Sequence, residues 1–341
     1  MPLLLDTTPA GSTVALPTAD CVTIGLINNM PDAAIEATER QFVGLLRAAA
    51  TDTVVCLKLF ALPDVPRGAQ ARFALEGRYR DVGALWDCEL DGLIVTGTEP
   101  RADDLKNEPY WATLTEVVDW AQKNTAATIW SCLAAHAAVL RLDGIARRQT
   151  PDKTFGVFAC EAVSSHPLMT PATALRVPHS RYNDLAATEL AESGYRILSR
   201  SAVAGVDMFA KELGASSLFL FLQGHPEYEA TTLLREYRRD VARFLRGERE
   251  RYPRMPQGYF APAAALMANA FRARALHEPH VDLIPDFPTA ALAAGLEANW
   301  RRSAVGLYAR WIDFLKERKT TRRQLVPPLL RAERSGRALR P

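Results

Sequence analysis

The chain has 341 residues, 48% hydrophobic and 23% charged, with a net charge of +2, which is ample for a sizeable core and excludes a disordered or low-complexity protein. No apolar run reaches the roughly 18–20 residues that a membrane span needs, and the opening MPLLLDTTPAGSTVALP has neither the basic start nor the long apolar core of a secretory signal. The charge is uneven: from Lys316 to Pro341 nine Lys/Arg face two Glu, a balance of +7 that leaves −5 for the rest.

After an N-terminal arm (1–20), VTIGLINN (22–29) reads as a short strand, and Pro31-Asp32 opens a helix whose Ile35, Thr38, Phe42, Leu45 and Leu46 recur at spacings of three and four. Thr53 to Leu62 is a second strand and GLIVTG (92–97) a third, wholly apolar and stopped by glycine. Tyr110 to Asn124 is an amphipathic helix, and AATIWSC (126–132) is a fourth strand that runs into a helix over Leu133 to Leu142. Apolar strands alternating with helices predict an α/β fold, a mostly parallel sheet covered by helices on both faces. FGVFACEAV, ALRVPHSRY, YRILSRS, AGVDMFAKE and SLFLFLQGHPE add strands, several antiparallel, before a helix from about Ala230 to Arg246. The α/β domain is thus expected to span 21–254. An alanine-rich helical extension follows over 255–318, with a long helix from about Leu292 to Lys316, and then a basic tail (319–341). Without interleaved aromatics or a binding module, that tail reads as solvated and flexible, so no nucleic-acid or membrane partner is expected.

Five cysteines (Cys21, Cys56, Cys88, Cys132, Cys160) lack C-x-x-C spacing. This is the pattern of reduced thiols in a cytoplasm, with neither a disulfide framework nor a metal site expected. Cys132 stands where a strand hands over to a helix. There the amides of Leu133 and its neighbours could stabilise a thiolate and a developing oxyanion, while Ala134, Ala135, Ala137 and Ala138 let the helix pack close to the sheet. Alone, this stretch fits a buried structural cysteine equally well. The second strand end, Gly224-His225-Pro226-Glu227, supplies what a nucleophilic cysteine needs: a base and, two residues on along an extended segment, a carboxylate to orient it.

The order Cys…His-x-Glu resembles the class I glutamine amidotransferase fold, a flavodoxin-like α/β layout. GLINNMPDAAIEATERQF, DGLIVTGTEP, EPYW, the elbow at Cys132, KTFGVF, PHSRY, GHPEYEATTLLREYRRD and NWRRSAVGLYARW occur in the order seen in homoserine O-acyltransferases (homoserine O-succinyltransferases), from about Val22 to Trp311. PHSRY, and GHPEY followed by RRD, are the most specific parts. The resemblance implies Cys132 as the acyl-thioester nucleophile, His225 as proton acceptor and Glu227 as its acidic companion. It implies Lys153, Ser180 and Arg239 as substrate-binding residues, a homodimer, acyl-CoA (succinyl- or acetyl-CoA) as co-substrate and no bound cofactor. The chain departs from the family at the elbow, where His136 replaces a glutamine and puts a second titratable group one helical turn from the nucleophile, a candidate supporting residue. Arg101 stands where glycine accompanies succinyl transfer and glutamate acetyl transfer. A guanidinium there could pair with the free carboxylate of a succinyl group, unless Asp103 and Asp104 neutralise it or its bulk shortens the pocket. The function expected is succinyl, or less readily acetyl, transfer to homoserine or a related hydroxy amino acid. A glutaminase-type hydrolase and a non-catalytic scaffold are the alternatives.

Overall fold

A computed structural model describes residues 3–6, 21–169, 175–214 and 217–325. The parallel half of its sheet is formed by β1 (Leu3–Asp6), β2 (Cys21–Ile27), β3 (Val54–Ala61), the two-residue β4 (Arg80–Asp81), β5 (Gly92–Val95) and β6 (Ala127–Ser131). Helices α1 (Ile35–Ala49), α2 (Ala69–Leu75) and α3 (Trp111–Asn124) connect these strands, and α4 (Leu133–Asp143) follows β6. The antiparallel half contains β7 (Arg148–Ala162), β8 (Leu175–Asp184), β9 (Arg196–Ser201), β10 (Gly205–Leu213) and β11 (Ser217–Leu222), with α5 (Ala187–Glu192) before β9. The strand order is β1-β3-β2-β5-β6-β11-β10-β9-β7-β8, with β4 beside β3. β11 is the hinge of this arrangement, parallel to β6 on one side and antiparallel to β10 on the other.

The central strands are apolar throughout because both faces of the sheet are covered. Along β11 the side chains alternate between two cores: Phe219 and Phe221 face α3 and α4 with Trp130, whereas Leu218, Leu220 and Leu222 face the opposite side. That opposite side is closed by α1 and by the last helix, α9 (Arg301–Leu325), through Phe42, Leu45, Tyr308, Trp311 and Leu315. Between α5 and α9 in the chain, α6 (Thr232–Leu245), α7 (Pro262–His277) and α8 (Thr289–Ala293) form a third core with Phe155 and Val157 of β7.

The expected α/β architecture, helical on both faces and extended at its C-terminus, is the one observed. Three details differ. The long helix begins at Arg301 rather than near Leu292, because α8 ends at Ala293 and Gly295 adopts φ +78°, breaking the alanine-rich run before Trp300. It continues to Leu325, past the expected start of the tail, and Lys319 is anchored to Asp91 (2.7 Å) and to the Cys21 carbonyl (2.8 Å). The rest of the tail lies outside the described residues. Of the N-terminal arm, Leu3–Asp6 forms an edge strand paired in parallel with β3.

Trp311 is fully buried where α9 crosses the start of β5, at Gly92. A Cβ on Gly92 would come within 2.5 Å of the Leu315 side chain and 2.9 Å of the Trp311 ring. Trp311→Ala should therefore cost about 3–5 kcal/mol, read as a lowered midpoint in denaturant unfolding. A loss below about 1 kcal/mol would mean that α9 contributes little to closing this face.

Candidate active site

Cys132 is the junction residue between β6 and α4, and its backbone (φ 52°, ψ −114°) is the one positive-φ conformation of a non-glycine residue among those described. A side chain in that region is strained by about 1–3 kcal/mol, which the surroundings must offset. They do so by holding both ends of the residue. Its N–H donates to the Leu222 carbonyl at the end of β11 (2.7 Å), and its carbonyl accepts from Ala135 (3.0 Å) and His136 (3.3 Å) in the first turn of α4. Ala134, Ala135, Ala137 and Ala138 are buried, as close packing of this helix on the sheet requires. Gly97, at the end of β5, leaves the space beside the elbow open, since a Cβ there would lie 2.9 Å from the Leu133 nitrogen. The Leu133 amide is in the first helical turn, where intrahelical partners are lacking, so it is available to an anion next to the thiol.

The second half of the site leaves β11 on the adjoining strand end. Gly224 is required by contact: a Cβ would meet Val177 at 2.4 Å and Asp207 at 2.8 Å. The His225 N–H donates to the carbonyl of Pro178 (2.8 Å), so the PHSRY segment fixes the loop from behind. His225 Nδ1 is 2.7 Å from Glu227 Oε1, and its ring stacks on Tyr228 at 4.3 Å. Burial pulls the imidazole toward its neutral form. The Glu227 carboxylate first, and then the Cys132 sulfur, outweigh that and carry its pKa well above the ordinary 6.5. With Nδ1 engaged by Glu227, Nε2 is the nitrogen left for the sulfur. The arrangement can hold a thiolate–imidazolium pair, the reactive form of a nucleophilic cysteine.

Lys153, Ser180 and Arg239 also converge, through two acidic residues not singled out from the sequence. Lys153 Nζ lies 3.1 Å from Asp240 and 3.6 Å from Glu236, over the Phe155 ring at 4.0 Å. Ser180 and Tyr228 both donate to Glu236, the latter at 2.6 Å. Arg239 reaches Asp240 at 3.2 Å with its side chain still 48% exposed. Burial works against the Asp240 charge, but Lys153 and Arg239 prevail and hold its pKa below the usual range. Glu236 and Asp240 are four apart on one face of α6, a spacing visible in EYRRD once the helix faces the site.

Arg101 lies apart from this cluster, exposed on the loop after β5. Its amide and that of Ala102 donate to the buried Glu108 carboxylate (2.5 and 2.7 Å), and Arg147 holds the Ala102 and Asp103 carbonyls. The Arg101 guanidinium pairs with neither Asp103 nor Asp104 among the described contacts. His136 is 2% exposed and bonded to Gln223 at 2.8 Å. Burial drives its pKa down to about 3, so near neutral pH it is an uncharged ring and not a second titrating group beside the thiol.

The grouping among the described residues best suited to a metal ion is elsewhere, beneath Gly224. The donor atoms of Cys160, His179 and Asp207, all buried, lie within 4.8 Å of one another. Asp207 is engaged by the Ser199 hydroxyl (2.6 Å) and faces His179 Nε2 (3.3 Å), while neither ring nitrogen of His179 has a hydrogen-bond partner among the described residues.

The α/β sheet thus presents a strained cysteine at one strand end and a His–Glu pair at the next. The chain is matched over residues 14–322 by the family model described as homoserine O-succinyltransferase. It is 49% identical over 295 residues to homoserine O-succinyltransferase of Rhodopseudomonas palustris, covering 86% of this chain and 88% of the relative. Identity to the protein of that name from Methylorubrum extorquens is 48% over 297 residues, covering 86% and 87%. A solved glutamine amidotransferase from Methylobacillus flagellatus aligns with 86% of this chain and 95% of its own, at 16% identity and a TM-score of 0.49. The chain belongs to the homoserine O-succinyltransferase family, a family of acyltransferases.

Burial lowers the pKa of His225, and the Glu227 carboxylate is the largest of the influences that raise it. Glu227→Gln should lower it, measured by NMR titration of the ring. A folded pKa above the unfolded value near 6.5 stabilises the fold fully below that pH, and the contribution is lost as pH rises through the folded pKa. The glutamine variant should accordingly lose stability at pH 6 and be nearly indistinguishable from the parent at high pH. An unchanged titration would mean that Glu227 does not set the charge of the ring.

Proposed function

We propose that the chain transfers a succinyl group from succinyl-CoA to the hydroxyl of homoserine through a thioester on Cys132, an acyl-transfer step of methionine biosynthesis. The observation that carries this reading is that Cys132 and the bonded His225–Glu227 pair leave the adjoining, register-matched ends of β6 and β11, with a cluster of acid and base suited to an amino acid bound to the Tyr228 hydroxyl. The Cys132 thiolate attacks the thioester carbonyl. The oxyanion that forms is met by the Leu133 amide at the start of α4. As the C–S bond to CoA breaks, the His225 imidazolium gives its proton to the departing thiolate. Homoserine then enters. His225 takes the hydroxyl proton as the oxygen attacks the Cys132 thioester, and Cys132 leaves as the thiolate again. Glu227 keeps the ring oriented and stabilises its charged state.

In this reading Arg239, half-exposed, receives the homoserine carboxylate, and the Glu236–Asp240 face of α6 receives the ammonium, with Lys153 and Ser180 holding those carboxylates in place. Arg101, whose guanidinium has no partner among the described residues, meets the terminal carboxylate of the donor in this reading. The homodimer and the cytoplasmic setting are part of the proposal on the strength of the family alone.

Cys132→Ser should abolish transfer. The parent incubated with succinyl-CoA alone should gain one succinyl group on Cys132, seen by peptide mass spectrometry, and initial-velocity plots against the two substrates should be parallel. Intersecting lines with no trapped acyl-enzyme would sink the covalent route.

An exposed ion pair contributes at most about 1 kcal/mol, so Arg101→Glu, which adds repulsion, should lower kcat/KM for succinyl-CoA about five- to tenfold more than for acetyl-CoA. Equal losses for both donors would remove Arg101 from the donor site.

A further inference from the structure

Two contacts tie the nucleophile's helix to the strand end that carries the base. One is the main-chain bond from the Cys132 N–H to the Leu222 carbonyl. The other joins side chains further along both segments: His136, one helical turn beyond Cys132, meets Gln223, the residue after Leu222 and two before His225, at 2.8 Å. A single bond leaves α4 free to pivot about it, whereas two bonds fix its rotation as well.

The hydrogen-bond pattern also fixes which nitrogen of His136 carries the proton. Gln223 is fully buried, and its amide nitrogen faces the Val206 carbonyl (2.7 Å) and Asp184 Oδ1 (2.9 Å). A carbonyl can only accept, so the NH2 group must point there and Oε1 must point to His136. Oε1 in turn accepts only from an N–H, which places the proton on His136 Nε2. Arg147 and Arg181 add positive potential to the effect of burial, so the ring stays neutral and Nδ1 carries a bare lone pair. The Gln223 backbone N–H donates to the Asp207 carbonyl (2.8 Å), so the glutamine itself cannot shift toward a different partner without breaking the β10–β11 edge.

We propose that His136 is a positioning residue: as a neutral Nε2–H donor to Gln223 it sets the rotation of α4, and with it the approach of the Cys132 sulfur to His225. This rests on the Cys132–His225 pair proposed above. His136 touches no substrate and exchanges no proton. Its effect is on the alignment of the pair, so it belongs to the rate of the acyl-transfer steps and not to homoserine binding.

The test compares His136→Gln, whose amide nitrogen reaches the position of Nε2, with His136→Asn, whose amide reaches only that of Nδ1. Three quantities are read: kcat, the homoserine KM and the rate of Cys132 alkylation by iodoacetamide at pH 7. The glutamine variant should stay within about threefold of the parent. The asparagine variant should lose about tenfold or more in both kcat and alkylation, with KM within about twofold, since small misplacements of reacting groups cost factors of 10 to 100. Equal rates for the two variants, or a loss confined to KM, would overturn the proposal. A measurement that needs no variant is the 15N spectrum of the His136 ring at neutral pH: an Nε2–H neutral tautomer supports the proposal, and an Nδ1–H tautomer or an imidazolium overturns it. The same alkylation assay on His225→Ala tests the underlying pair separately. If that variant reacts as fast as the parent, the Cys132–His225 reading falls. If it reacts slowly while the glutamine and asparagine variants behave alike, only the role of His136 falls.

Discussion

The parallel pairing of β6 with β11 is the constraint on which the rest of the site depends. It sets Ser131 opposite Leu222, so that the chain leaves both strands at the same height on the same edge of the sheet. One exit turns at once into α4 and the other runs on as Gln223-Gly224-His225. A shift of one residue in that register would separate the sulfur from the imidazole and turn alternate side chains of β11 from one core to the other. The bond from the Cys132 N–H to Leu222 is the last rung of this ladder, and it falls on the residue whose backbone is strained. The strain is thus held in place by the sheet itself, and two glycines, Gly97 and Gly224, keep clear the space that the strained turn and its partner loop occupy.

The helices after α6 serve the same site from outside. Trp300 is buried at the entrance to α9, and its indole N–H donates to the Tyr228 carbonyl (2.9 Å). Tyr228 stacks on His225 and binds Glu236 through its hydroxyl. A continuous path therefore runs from the C-terminal helix to His225 and on to α6. The C-terminal segment is part of what shapes the site, as well as the cover for the sheet face opposite α3 and α4.

How much of this was legible in the sequence follows from where each signal is local. β5, β6 and β11 read as strands because burial on both faces makes them apolar without interruption, and the elbow and the His-x-Glu end each sit within a few residues of such a strand. The start of α9 was misplaced because alanine-rich residues are helical by propensity wherever they stand, and one glycine at a positive φ, Gly295, decides the break. Leu3–Asp6 gave no strand signal because its pairing partner is some fifty residues away in the chain. Glu236, Asp240 and Gln223 carry no such local signal for a different reason. A charge on an amphipathic helix, or an amide before a glycine, reads as solvated surface until tertiary packing covers it. Cys160, His179 and Asp207 come from three separate strands, and only the antiparallel half of the sheet brings them together.

The charges around α6 are tolerated at depth because they are mutually paired. Lys153 is 11% exposed and Asp240 4%, and an isolated charge at that depth would cost several kcal/mol. Here each charge has an opposite partner and a further hydrogen bond: Asp240 has Lys153 and Arg239, and Glu236 has Ser180, Tyr228 and Lys153 at longer range. An amino acid brings one ammonium and one carboxylate, a matched pair of the same kind. In the proposed reading it enters by exchanging partners with the cluster, adding no net charge to a poorly solvated place. The half-exposed Arg239 is the member that can turn to a new carboxylate at least cost, because water already solvates part of its guanidinium. Removing any one buried member without its partner leaves an uncompensated buried charge. Substitutions at Lys153 or Asp240 would then act through the fold of α6 as well as through binding, and a change in KM alone would not describe them.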